Sequence, residues 1–312
     1  MAEYKEEFER IIKIKEGGHL SLKNTNGEIK VKSWEENKIK IMSTKKGRGF
    51  TSGDAREKAN QVKIEINEKN NEVYIDTIYP RRSSAQVSLS YLLYVPQKIN
   101  LDLKNLNGMI LVENIVGEVN AKTYNGRGIL RNIKGNITLS SLNGGLELIK
   151  LVSDKIDAHT LQGGIKADIC VVKNGKYHLK TLNGLIDVKI PFDSSTRIFA
   201  KTLNGHINYN LPLIKVKSSR RNLEGILKAD EASLNLDTLI GSIHIEGYGE
   251  GGYIEAVEEK PLREEKVEQV TSENLEEEKA TILKLVKEGK ITAEEAKELL
   301  KVMEISEEGV NL

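Results

Sequence analysis

Five histidines, three carboxylates in strand phase, two serine pairs and one cysteine are the residues of this 312-residue chain whose types could do chemistry. The histidines are His19, His159, His178, His206 and His244. None forms the close sequence pair with a carboxylate or cysteine that a zinc or iron site would show. His206 and His244 occupy comparable places just after turn glycines and so are able to approach each other; the simpler reading is a solvated strand histidine. Glu147, Asp168 and Asp187 recur at intervals that would stack them, and a column of carboxylates is what a polysaccharide-cleaving site requires. Acids alternating with lysines on a wet face explain them more simply. Ser83, Ser84, Ser194 and Ser195 have no recognisable His/Asp partners, and no phosphate-cradling Gly-x-x-x-x-Gly-Lys-Ser/Thr segment is present. Cys170 lies in a Val/Ile run, which predicts a small buried hydrophobe. A lone cysteine excludes an intramolecular disulfide and fits a reducing compartment. These residues predict no catalytic, cofactor-binding or metal-binding group.

Three basic excursions are the best candidates for contact with something anionic: Lys45, Lys46 and Arg48; Arg81 and Arg82; Lys215, Lys217, Arg220 and Arg221. Gathered at one edge they would suit lipid headgroups or a teichoic-acid-like polymer. Nucleic acid is disfavoured, because the formal net charge is only +1 and few aromatics accompany the basic residues.

The elements that must position these residues are set by a glycine that returns every nine residues, at Gly108, Gly117, Gly126, Gly135 and Gly144. Every second one closes an Asn-Gly turn: Asn107-Gly108, Asn125-Gly126, Asn143-Gly144. The tripeptide recurs at Asn183-Gly184 and Asn204-Gly205, with variants ending in Gly163 and Gly241 and an early copy at Asn26-Gly27. Counted from each glycine, positions +2 and +4 are apolar and their neighbours polar, the pattern of a strand with one buried face. Two nine-residue units make one turn of 18, and later turns lengthen to 21, so Ile110, Gly128 and Leu146 share one column and Val119 and Ile137 another. Stacked asparagines are expected to hydrogen-bond one another and the turn backbone. The fold expected is mainly β, a single-domain parallel β-solenoid or β-helix-like body with about 18–21 residues per turn. A meander of antiparallel hairpins is the alternative, since Asn-Gly is also a hairpin signal. The 36 residues between Gly205 and Gly241 are close to two turns.

Residues 1–248 form that body, with an irregular N-terminal cap over about 1–100 and regular repeats over about 101–248. The cap is expected to hold strands near 19–23, 28–31, 38–43, 61–67, 72–78 and 86–95, interrupted by a loop from Lys45 to Glu57. Residues 249–274, rich in Gly, Glu and Lys, read as an acidic linker. Residues 275–306 read as a helical hairpin. Ile282, Leu285 and Val286 share one helical face before Gly289, and a capping box at Thr292–Glu295 opens a second helix carrying Leu299, Leu300 and Met303. So small a hairpin cannot bury its own stripe, which predicts docking on a partner or self-association.

Val87-Ser88-Leu89-Ser90-Tyr91-Leu92-Leu93-Tyr94-Val95-Pro96, followed by repeated Leu-Asn-Gly-x-Ile turns, resembles the bacterial "putative-adhesin" β-strand-repeat family of unknown function. Thr25-Asn26-Gly27-Glu28-Ile29-Lys30-Val31 matches the same pattern, and the resemblance covers about Ile11 to Gly247. The segment from Ile282 to Leu300 is similar to the short helical modules joined to this family, which resemble the short C-terminal domain. The resemblance implies a right-handed β-helix-like fold, a link to envelope-stress gene clusters, and no catalytic residues to carry over. Several relatives carry the helical module at the N-terminus, whereas here it is C-terminal.

The function expected is a non-enzymatic binding or scaffold protein linked to bacterial cell-envelope stress, its helical tail serving oligomerisation or partner docking. The alternatives are a surface adhesin or antimicrobial-peptide sensor and, ranked third, a carbohydrate-active β-helix enzyme. Residues Met1 to Arg10 are charged with no apolar h-region, and no apolar run reaches membrane-span length. The expected location is the cytoplasm, with peripheral membrane association or surface display as alternatives.

Overall fold

The computed structural model describes residues 1–80 and 86–249. The N-terminal part holds β1 (Ala2–Lys13), β2 (Gly18–Asn26), β3 (Ile29–Trp34), β4 (Lys38–Gly49), α1 (Ser52–Gln61), β5 (Lys63–Lys69), β6 (Glu72–Ile78) and β7 (Val87–Pro96). Ten strands follow: β8 (Ile99–Asn107), β9 (Ile110–Val116), β10 (Val119–Asn125), β11 (Gly128–Lys134), β12 (Ile137–Asn143), β13 (Leu146–Val152), β14 (Lys155–Gln162), β15 (Ile165–Cys170), β16 (Lys176–Asn183) and β17 (Ile186–Pro191). The last are β18 (Thr196–Asn204), β19 (Ile207–Tyr209), β20 (Ile214–Ser218), β21 (Asn222–Leu227), β22 (Ser233–Ile240) and β23 (Ile243–Tyr248). They form two large, mostly parallel sheets of 11 and 12 strands, with one helix beside them.

From β8 to β17 the chain alternates between the sheets, and each strand pairs in parallel with the strand two places on. One pass through both sheets is a circuit. Gly128 pairs with Ile110 on one side and Leu146 on the other, and Val119 pairs with Ile137. Odd positions such as Ile137 and Leu139 face inward and are buried, while Thr138 and Ser140 face out. Burying a leucine of this kind contributes about 1.5–3 kcal/mol. Gly128 occupies an inward position because Leu139 fills its space: a Cβ there would lie 2.7 Å from Leu139 Cδ1.

Several expectations need correction. The regular stacking begins well before residue 101, since β2 and β3 pair in register with β8 and β9, aligning Asn26 with Asn107. The 36 residues after Gly205 are not two successive turns. After β19 the chain makes an antiparallel β20–β21 excursion, and β22 and β23 then insert between the β16–β17 circuit and the β18–β19 circuit. Lys45 to Glu57 is not a loop: β4 runs on to Gly49, and α1 opens at Thr51, whose hydroxyl accepts from the Asp54 N–H. Gly47 and Gly49 let the helix close on the strand, as a Cβ at Gly47 would lie 2.3 Å from the Ala55 carbonyl oxygen. Cys170 is exposed rather than buried, because Ile165, Ala167 and Ile169 take the inward phase of β15. Although the residue is exposed, partial desolvation of the thiol by its surroundings, with the Asp193 and Asp168 charges nearby, pushes its pKa up. Arg81, Arg82, the Ser83–Ser84 pair, the linker beyond Gly249 and the helical hairpin lie outside the described residues.

The four sheet edges are all blunted against pairing. Strand β1 is dense in charge, with four glutamates against Lys5, Arg10 and Lys13, β5 reads Lys-Ile-Glu-Ile-Asn-Glu-Lys, and β19 is three residues long. Strand β20 breaks register between Ile214 and Lys217, with Lys215 at φ +52°.

Candidate functional site

The corner between the sheets is built from the Asn-Gly turns. Asn107, Asn125 and Asn143 each donate through Nδ2 to the side-chain oxygen of the asparagine one circuit earlier, at 2.7, 2.8 and 3.0 Å; Asn26 is the first acceptor. Gln162, Asn183, Ile240 and Asn204 continue the register column. The N–H groups of Gly27, Gly108, Gly126, Gly144, Gly163, Gly184 and Gly241 each donate to the asparagine-position carbonyl of the adjacent circuit, as from Gly126 to Asn143 at 3.0 Å.

A second column at this corner goes unnoticed in sequence. Three residues before each turn glycine from Gly108 onward stands a buried Asn, Thr or Ser whose side chain donates to the glycine carbonyl of the neighbouring circuit. These are Asn105 to Gly27, Thr123 to Gly108, Ser141 to Gly126, Thr160 to Gly144, Thr181 to Gly163, Thr238 to Gly184 and Thr202 to Gly241, at 2.7–3.2 Å. The inner turn carbonyls thereby find partners inside an otherwise aliphatic core. The signal was available as a small hydrogen-bonding residue recurring at one phase of the repeat.

On the outer face of the 12-stranded sheet the structure gathers Asp157, His159, His178 and Asp237. Here the reading of the histidines as lacking carboxylate partners is corrected. His159 contacts Asp157 two residues before it, His178 Nε2 lies 3.4 Å from Asp237 Oδ2, and the two rings meet edge-on at 5.5 Å. The hydrogen bond to Asp237 raises the His178 pKa against the opposing effect of burial, and the Asp157 charge adds to it. Burial works to raise the Asp157 pKa, but His159, His178 and Lys155 together lower it. Among the described residues no group of three or more His, Cys, Asp or Glu is arranged to hold a metal ion.

This cluster makes stability depend on pH with a definite sign. A histidine whose pKa is raised on folding contributes fully below its unfolded value, about 6.5, and loses that contribution as pH rises through the folded value. The wild-type Tm is therefore expected to fall between pH 6 and pH 8.5 by about 1–2 °C more than that of His178→Gln. Parallel Tm–pH curves for the two proteins in calorimetry would sink this assignment.

The remaining candidates fall apart in space or into pairs. Glu147 aligns with Lys166 and Lys166 with Asp187, while Asp168 aligns with Lys189, which sits 2.7 Å from Glu246; the acids alternate with lysines. Tyr248 donates to Asp168 Oδ1 at 3.1 Å. The His206 and His244 rings are 6.5 Å apart, with Ser242 and Asn208 beside them. Ser194 Oγ is buried with no hydrogen-bond partner among the described residues. Lys45 and Lys46 face Glu6 and Glu3 across β1 and β4, at 3.2 and 3.7 Å. Lys215, Lys217, Arg220 and Arg221 are all exposed, in β20 and the turn after it.

Residues 277–308 match the model of the SHOCT-like domain. No curated protein matches the chain. Among solved structures, the chain is similar to a "putative cell adhesion protein" from Clostridium sporogenes, with 15% identity and a TM-score of 0.38 over 78% of this chain and 100% of that one. It is similar to a "putative adhesin" from Bacteroides fragilis, at 12% identity and a TM-score of 0.39, covering 77% and 97% of the two chains. A "putative lipid binding protein" from Parabacteroides distasonis stands at 9% identity and a TM-score of 0.36, covering 77% and 96%. Among the described residues no helix is long and apolar enough to cross a membrane.

Proposed function

We propose that this chain is a non-enzymatic binding scaffold. Its body, residues 1–248, is a parallel β-solenoid with about 18–21 residues per turn. Residues 249–274 form an acidic linker, and residues 275–306 a helical hairpin that docks on a partner or on another copy. The observation that carries the reading is where the polar side chains go. Most of the buried ones close the corners, and many outward acids and bases answer each other across strands, as in Lys32 with Glu113 at 3.1 Å and Lys189 with Glu246 at 2.7 Å. A surface spent in this way favours a rigid platform over a reacting cleft, and the match of residues 277–308 to the SHOCT-like domain adds a separate recognition element. The link to the cell envelope rests on the resemblance of the Leu-Asn-Gly turns and of Val87–Pro96.

The experiment compares the full chain with the chain ending at Asn274, by light scattering and by affinity capture from an envelope fraction. The full chain is expected to show either a mass above the 34.9 kDa monomer or a captured protein that the shortened chain loses. Equal masses together with equal capture profiles would overturn the role given to residues 275–306.

A further inference from the structure

Several lysines of the sheet faces meet acids, as Lys32 meets Glu113 and Lys189 meets Glu246, but the stretch from Ile214 to Arg221 is different. All its residues are exposed; Ile214 and Val216 are 50% and 40% accessible, and among the described residues Lys217 reaches only Glu224, at 3.8 Å. Lys215 acts on Asp230, which is already held by Arg197. Among the described residues neither Arg220 nor Arg221 has an acidic partner. Among the described strands β20 pairs only with β21, so its other side is uncovered, and the register break there discourages a further strand without blocking side-chain contacts.

The chain leaves the described body at the same end. Gly247, near the end of β23, donates to Asn210 Oδ1 at 2.7 Å, and Asn210 N–H donates back to the Ile245 carbonyl at 3.2 Å. Asn210 stands four residues before Ile214, and the Arg220 carbonyl accepts from Ile207 in β19, the strand beside β23. Two residues beyond Tyr248 the sequence turns acidic. Residues 250–274 carry eight glutamates against Lys260, Arg263 and Lys266, with Tyr253, Ile254 and Val257 among them. An acidic segment dotted with apolar residues thus begins beside a basic edge dotted with apolar residues.

We propose that residues 250–274 dock on the Ile214–Arg221 edge of their own chain, their glutamates against Lys215, Lys217, Arg220 and Arg221 and their apolar residues against Ile214 and Val216. The basic excursion is then an internal anchor rather than a site for an outside polyanion, and it sets where the C-terminal module is presented. This holds whatever that module binds. Opposite charges gathered on one edge lose most of their attraction once the Debye length shrinks from ~14 Å at 0.05 M salt to ~4 Å at 0.5 M.

Zero-length carbodiimide coupling of the full chain, which joins a lysine to a contacting carboxylate, tests the proposal. Peptides joining Lys215 or Lys217 to glutamates of 250–274 are expected in the monomer band. Their yield should not depend on protein concentration, and should drop about threefold or more at 0.5 M NaCl. Glu255→Gln/Glu258→Gln/Glu259→Gln, which leaves the body untouched, is expected to reduce that yield. Joined peptides confined to the dimer band would assign the edge to a second copy and overturn the proposal. So would their absence, or an unchanged yield in the triple variant.

Discussion

Gly108→Ala is expected to lower the unfolding free energy by about 3 kcal/mol or more, summing backbone strain and forced overpacking. Gly108 sits at φ +135°, and an added Cβ would lie 2.1 Å from the Gly27 carbonyl oxygen and 2.7 Å from its carbon. Those neighbours are backbone. The same carbonyl is held from the inside by Asn105 Nδ2 at 2.7 Å, so it has nowhere to withdraw. The contact repeats up the stack: a Cβ at Gly126 would strike Gly108, and one at Gly144 would strike Gly126. Gly145 is the internal control. It follows the turn glycine Gly144 directly, yet a Cβ there would meet only the Gly164 carbonyl oxygen, at 3.4 Å. Gly145→Ala is expected within about 0.5 kcal/mol of wild type. Guanidinium unfolding midpoints of the three proteins decide the matter, and a Gly108→Ala value within about 1 kcal/mol of Gly145→Ala would refute the close-packed corner.

That contrast also marks how far the sequence reaches. The nine-residue beat exposes the strands because nine residues return the chain to the same inward phase, so Ile110, Gly128 and Leu146 could be aligned from sequence and are register partners. Pairing order at the ends is another matter. Leu239-Ile240-Gly241 reads as one more turn, and nothing local says that β22 stacks on β16 rather than beyond β18, because every circuit presents the same edge. Helix α1 was hidden because it buries only Ala55 and Ala59 and has no apolar stripe; its mark is the Thr51 cap. The histidine cluster escaped for a related reason. Asp157 and His159 share a strand face, but His178 and Asp237 reach them from β16 and β22, and the latter adjacency exists only through the insertion.

Thr181→Val isolates the hydrogen bond that the corner depends on, and is expected to cost about 2 kcal/mol. The Gly163 N–H is committed to the Asn183 carbonyl at 2.9 Å, so the outward ladder is closed at that position. The Gly163 carbonyl turns inward, where Gly184 packs so closely that a Cβ on it would lie 2.0 Å from the oxygen. Thr181 Oγ1, on a side chain only 2% exposed, donates to that oxygen at 2.9 Å. Valine keeps the shape and removes the donor, leaving a buried acceptor without a partner. Serine does the reverse: it keeps the donor and loses a methyl, and Ser141 occupies the equivalent place two circuits earlier. If the hydrogen bond governs, stability should run wild type, then Thr181→Ser, then Thr181→Val. If packing governs, valine should be nearly silent and serine the more damaging change. Thr138→Val, an outward threonine two strands away on the same sheet, is expected to be neutral, because its hydroxyl faces water and valine suits a strand. Chemical denaturation of these four proteins separates the two accounts, and a Thr181→Val protein at least as stable as Thr181→Ser would remove the polar column from the list of what holds the stack together.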